Sequence, residues 1–149
     1  METGPALDTR LESFRNVSME FDFVYGMLAK ACGLSGTEYW ALILICEGVE
    51  TQREISEKLS LSRQTLNSAF KLLIRKGLVR LEHFERDQRS KRAVLTEEGN
   101  RFVDTTIART RRLEEQAWQT MTEEEQAALI RLTHQFSTAL RQSLQAQNK

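Results

Sequence analysis

The sequence predicts a mainly α-helical chain with one small β-hairpin, on three observations. The sole proline is Pro5, so no later residue lacks the backbone donor that a helix interior needs. Helix starts of the S/T-x-x-E type recur at Ser35 with Glu38, Thr51 with Glu54 and Thr122 with Glu125, where hydroxyl and carboxylate each satisfy a backbone donor at the helix end. Only residues 78–96 depart from this pattern: LVRLEHF and RAVLT are short β-type runs separated by the polar ERDQRSK.

Taken in order, the apolar residues Leu7, Leu11, Phe14, Phe21, Tyr25, Leu28 and Cys32 keep a 4,3 spacing, with Ser18 the one polar member. They describe a long first helix with a continuous seam that needs a partner. TEYWALILICEG, 37–48, is apolar nearly all round, as in a helix buried on every side. Thr51 to Leu59 makes a short helix, Ser60 to Ser62 a turn, and Arg63 to Lys76 a second helix stopped by Gly77. After the hairpin, Thr96 with Glu97 and Glu98 starts a helix that runs to about Gln119, its acids suited to the positive helix end. A last helix begins at Thr122 and places Leu129, Leu132, Phe136, Leu140 and Leu144 on one stripe.

A chain of 149 residues suits one domain and can bury a real core. The start, METGPALDTR, has neither a basic nor an apolar leader region, and the run YWALILIC is too short to span a bilayer. A cytoplasmic protein without a membrane segment is expected. Cys32 and Cys46 lie in apolar helical segments without a CxxC partner and read as small buried hydrophobes. His83 and His134 belong to no metal-ligand spacing, and no Gly-rich phosphate loop or G-x-S-x-G elbow occurs. Neither an enzyme nor a resident metal or cofactor is expected.

The formal net charge of zero conceals a regional split. Residues 51–101 hold twelve Lys and Arg against seven Asp and Glu, while the rest holds nine against fourteen. An anion-facing middle on acidic flanks is expected. Within it, residues 52–71 place Ile55, Ser56, Leu59, Leu61, Leu66 and Ala69 where two helices joined by a turn must touch. Ser60 stands where many such turns have Gly, which predicts a strained or altered turn.

With Leu66, Phe70 and Leu73 inward, Arg63, Gln64, Asn67, Ser68, Lys71 and Arg75 face outward, and Ser62 and Thr65 lie at the helix start. Gln and Asn can each pair with adenine in the major groove, Arg with guanine, and Ser with base edges or phosphate. Lys71 and the helix N-terminus suit phosphate. The hairpin tip, with Arg86, Arg89, Lys91 and Arg92, would reach outward, and an Arg there can enter a narrow minor groove. Asp87 is then expected to orient Arg89 through a charge-assisted hydrogen bond. The candidate fold is therefore a winged helix-turn-helix with N- and C-terminal dimerisation helices.

EISEKLSLSRQTLNSAFKLLIRKGLVR, 54–80, and D-x-R-x-x-x-x-x-L-T from Asp87 to Thr96, followed by Glu98 and Gly99, resemble the MarR family of bacterial winged-helix transcription regulators. The matching residues cover about a third of the chain. The resemblance implies one domain over 1–149, with a winged helix-turn-helix at 35–99 and a helical dimerisation region made of 5–34 with 100–149. It also implies an obligate homodimer on a pseudo-palindromic double-stranded DNA operator, usually a repressor released by a small effector. Such an effector, apolar or phenolic, would sit where the dimer helices meet the winged unit, near Met27, Cys32, Tyr39 and Trp40. Two alternatives remain open at the level of sequence. The wing could dock an acidic protein, or the fold could serve a thiol-based or metal-responsive sensor.

Overall fold

The computed structural model describes residues 8–84 and 87–148, with the side chains of 84 and 87–90 outside the description. Seven α-helices, a π-helical turn and one hairpin follow in the order α1 (Thr9–Ala31), α2 (Gly36–Cys46), α3 (Gln52–Leu59), α4 (Arg63–Arg75), β1 (Val79–Phe84), β2 (Asp87–Leu95), α5 (Glu97–Phe102), a π segment (Val103–Ile107), α6 (Ala108–Trp118) and α7 (Glu123–Gln147). The chain is mainly α with a small β-wing, as its pattern predicts.

All three S/T-x-x-E starts form complete capping boxes, opening α2, α3 and α7. The first helix begins at Thr9, two residues after the expected Leu7, because Asp8 is its N-cap and accepts from the Arg10 N–H at 2.9 Å. The turn between α3 and α4 confirms the departure expected at Ser60. That residue adopts the left-handed conformation, φ 52° and ψ 42°, and is the one described non-glycine residue with positive φ. The Leu61 N–H closes the turn on the Ser56 carbonyl at 3.0 Å.

Contacts divide the chain into two compact units, residues 1–108 and 109–149. In the first, one apolar cluster takes Leu34, Tyr39, Leu42, Ile55, Leu66, Phe70, Leu73, Val79, Ala93 and Ile107 from nearly every element. Helix α2 packs against α1, α3, α4 and the hairpin, which explains why its sequence is apolar all round. In the second unit α6 and α7 are joined through a short turn at 119–122. Gln126 Nε2 donates to the carbonyls of Trp118 and Met121 at 3.0 and 3.2 Å, one at the end of α6 and one in the turn that follows it.

Two expectations need correction. The helix expected from Thr96 to about Gln119 contains the π segment Val103–Ile107, where the hydrogen-bond register widens before α6 resumes it. No residue pattern announces that change. The second strand begins at Asp87 and not at Arg92, so Lys91 lies within the ladder opposite His83, and Arg92 pairs with Glu82. Lys91 is thus part of a strand instead of the tip. The register shifts between His83 and Phe84, as at a β-bulge.

Candidate nucleic-acid interface

The sequence of α4 makes a rigid, one-sided platform. Leu66, Ala69, Phe70 and Leu73 are buried at spacings of three and four, and they anchor one face in the core. Arg63, Gln64, Thr65, Asn67, Ser68, Lys71 and Arg75 are all exposed on the rest of the helix, as the sequence indicates. The helix contains no Asp or Glu. Among the described residues, Arg63, Lys71 and Arg75 make no ion pair, so their charge is available to an incoming anion.

Local bonds set the start and spacing of this face. The Ser62 side chain caps α4 by accepting from the Thr65 N–H at 3.1 Å, and the two hydroxyls lie 2.9 Å apart. Ser62 and Thr65 therefore build the helix start as well as lying on the candidate surface. The Ser68 hydroxyl donates to the Gln64 carbonyl at 3.0 Å, which leaves its oxygen able to accept.

The hairpin is fastened beside this helix by backbone and side-chain bonds. The Ala93 N–H donates to the Glu50 carbonyl at 2.8 Å, Thr51 forms an isolated bridge with Arg92, and the Arg92 guanidinium lies 3.7 Å from Glu50. Arg92 is thus committed partly to the base of the wing. At the other end of β2, the Thr96 hydroxyl donates to the Gly77 carbonyl and accepts from the Gly99 N–H at 2.9 Å. A Cβ built on Gly99 would lie 2.0 Å from the Leu78 carbonyl oxygen, so only Gly allows α5 to start against the foot of β1. The L-T-x-x-G part of the motif is a backbone junction that sets where the wing leaves the domain. Arg86 and the side chains of Asp87 and Arg89 lie outside the described residues, and with them the expected Asp87 to Arg89 bond.

One cation at the end of α4 faces away from the candidate surface. Lys76 Nζ donates to Glu38 Oε2 at 2.7 Å and to the Gly33 carbonyl at 3.1 Å. Glu38 is only 2% exposed, yet its carboxyl stays below the ordinary carboxylate range. Burial alone would raise it; the Lys76 hydrogen bond, two hydrogen bonds from Ser35 and the nearby ammonium charge outweigh that effect. Sequence reading identifies Glu38 only as a capping residue, because its partner is 38 positions away and no periodicity connects them.

The residues suggested for an effector occupy different surroundings. Cys32 and Tyr39 are buried in the core, Met27 is exposed, and Trp40 is half-buried against Tyr25 with ring centroids 5.0 Å apart. Trp40 also meets Tyr39 edge to face at 5.6 Å. An open hollow at the end of α2 is lined by Gly48, Val49, Glu54, Glu57 and Lys58 and includes none of the four. No described helix is long and apolar enough to cross a membrane.

Residues 33–90 match the model of the MarR family. No curated protein matches the chain by sequence. Its fold is shared with a MarR family regulator from Neisseria meningitidis at a TM-score of 0.80 and 20% identity, over 94% of this chain and 99% of that one. The PcaV transcriptional regulator from Streptomyces coelicolor, solved with its natural ligand, superposes at 0.71 with 21% identity over 91% and 99% of the two chains. MepR from S. aureus, solved in complex with DNA, superposes at 0.70 with 20% identity over 90% and 99%.

Proposed function

We infer that this chain, which carries the winged helix-turn-helix of the MarR family over residues 33–90 and shares the fold of its regulators, is a DNA-binding transcription regulator. The observation that carries the reading is the face of α4: three cations without an ion pair among the described residues, with Gln64, Asn67 and Ser68, stand exposed on a helix without acids, anchored through its opposite side. Gln64 and Asn67 read base edges, Arg63 and Arg75 contact guanine or phosphate, and Lys71 with Ser62, Thr65 and the helix start holds the backbone. Arg86, Arg89 and Lys91 of the wing meet the neighbouring minor groove, with Asp87 orienting Arg89. MepR was solved on DNA with the same fold, which supports this assignment.

The working form is a homodimer in which residues 1–149 act as one functional unit on a pseudo-palindromic operator. The exposed apolar residues of α1 and α7 supply surface for pairing, and two-fold symmetry presents two reading helices to two half-sites. The regulator is a repressor, released by a small apolar or phenolic molecule bound near Met27, Cys32, Tyr39 and Trp40. The solution of PcaV with a natural ligand supports effector control on this fold. A gel shift against DNA upstream of the protein's own gene, run at two salt concentrations, tests the reading. Retarded bands that weaken steeply with salt are expected, because bound phosphates release counterions. Binding to no duplex, or binding insensitive to salt, contradicts it.

A further inference from the structure

Three cations of α4 lie open on its reading face, whereas the next residue after the helix, Lys76, joins three structural elements. It is the C-cap of α4, its ammonium holds the carboxylate in the first turn of α2, and it reaches the carbonyl of Gly33 in the turn that leaves α1. Gly33 has φ +72°, so that turn has a defined left-handed shape. Both Glu38 oxygens are engaged: Oε1 accepts from the Ser35 N–H at 3.1 Å, and Oε2 accepts from Lys76.

Apolar packing among Leu34, Leu42 and Leu73 holds these elements together, but it tolerates sliding because it has no direction. A charge-assisted hydrogen bond of 2.7 Å does have direction. Stability alone is a weak reason to place a carboxylate in such a site, since a well-packed apolar residue often serves as well or better. A fixed relative position of the joined elements is a stronger one.

We propose that Glu38 and Lys76 are a positioning pair for DNA recognition, locking the end of α4 to α2 and to the α1–α2 turn so that displacement of that turn reaches the reading face. The proposal rests on α4 being the helix that reads DNA. Lys76 accordingly acts on affinity without touching phosphate, in contrast to Lys71. It also gives an effector near the end of α1 a route to the operator, because a ligand that shifts the turn alters the seat of α4.

The test uses the full-length chain and its variants Lys76→Met, Glu38→Gln and the double variant, with Lys76→Arg as the conservative substitution. Operator binding is measured across several salt concentrations, and amide hydrogen exchange is followed in the DNA-free protein. Each single variant should weaken operator binding about tenfold, equivalent to roughly 1.4 kcal/mol, and the double variant should be no weaker than either single one. The slope of log affinity against log salt should not change, whereas Lys71→Ala should reduce it by about 0.9. Lys76→Arg should recover most of the affinity. Exchange should quicken in both single variants at the end of α4 and in the turn after α1.

A slope reduced by about 0.9 in Lys76→Met, with Glu38→Gln binding normally, makes Lys76 a phosphate contact and overturns the proposal. Additive losses, or unchanged operator affinity accompanied only by a lower melting temperature, also overturn it. If the wild-type chain binds no duplex, the regulator reading fails separately, and exchange still decides the coupling. Unchanged exchange at either location then rejects it. If Lys76→Met does not fold, Glu38→Gln and Lys76→Arg carry the same comparison.

Discussion

Lys76 Nζ lies 2.7 Å from Glu38 Oε2, an ion pair between the C-cap of α4 and the first turn of the apolar helix α2. The carboxylate side chain is 3% exposed and the lysine side chain 38% exposed. The pair is therefore neither a surface bridge of little value nor a fully desolvated one. Removing the ammonium leaves the carboxylate buried without its counter-charge. Lys76→Met is expected to cost about 2 kcal/mol, less than the loss for a fully buried pair because water reaches the lysine. Urea unfolding at neutral pH measures it.

The same pair predicts the direction of acid sensitivity. In the folded chain the Glu38 carboxyl is held below its ordinary value of 4.5, so between the two values the unfolded chain binds more protons. Its stabilisation is fully present above the unfolded value and is lost as pH falls through the lower folded value. Denaturation midpoints measured from about pH 6 to pH 3 should decline less steeply for Glu38→Gln than for wild type. Parallel declines in the two proteins would show that Glu38 contributes nothing to the acid limb.

Gly99 makes a second, sharper demand. An added methyl group would meet the Leu78 carbonyl oxygen at 2.0 Å and its carbon at 2.9 Å, and neither is a flexible side-chain tip that can turn aside. Gly99→Ala should therefore destabilise the domain by on the order of 3 kcal/mol, the upper range for forced overpacking, although Ala favours helix. It should also weaken DNA binding in the folded fraction, because the displaced junction carries the wing. A loss below about 0.5 kcal/mol in chemical denaturation would mean that α5 moves away from β1 at little cost.

These two cases show what could be read from the sequence and what could not. Capping boxes, the exposed polar face of α4 and the apolar α2 depend on residues within a few positions of one another, so spacing reveals them. Ser60 was legible for the same reason, since a turn of that length needs positive φ. Gly99 could be recognised as part of a motif, but its close approach to Leu78 appears only once the chain has folded back on itself. The pairing of Lys76 with Glu38 depends on tertiary packing across 38 positions, and no local pattern records it or the π segment after Phe102. The four residues expected near an effector follow from the resemblance and have mainly an apolar character in common. That criterion does not separate Tyr39, which is buried in the core, from the exposed Met27.

Distinct parts of the interface should fail in distinct ways. Gln64→Ala or Asn67→Ala is expected to cost roughly 1 to 3 kcal/mol at the operator and to relax base preference at one position of each half-site. Lys71→Ala should weaken operator and random DNA alike, because a phosphate contact carries no sequence information. Asp87→Ala and Arg89→Ala should be non-additive if the acid orients the arginine. Fluorescence anisotropy on operator and scrambled duplexes separates these outcomes. Equal losses on both duplexes for Asn67→Ala would remove it from base reading.

The last prediction concerns the surfaces that would join two copies. On α1, Phe23 is 70% exposed and Met19 62%, and on α7 Leu140 and Leu144 are 61% and 62% exposed, together with Leu129 and Leu132 on the same stripe. Soluble monomers rarely leave such extended apolar surface in water, and covering one large side chain is worth about 1.5 to 3 kcal/mol. In a two-fold dimer each substitution counts twice, so a charge at one such position should raise the dissociation constant by about 100-fold or more. Wild type should sediment at twice 17.2 kDa at micromolar concentration, while Phe23→Glu and Leu140→Glu should move toward monomer with helical circular dichroism retained. Both variants should lose operator affinity despite intact reading helices, because a single copy engages only one half-site. If the wild-type chain is a monomer at that concentration, or if both charged variants remain dimers with full operator affinity, these faces do not pair and the two-half-site geometry must be abandoned.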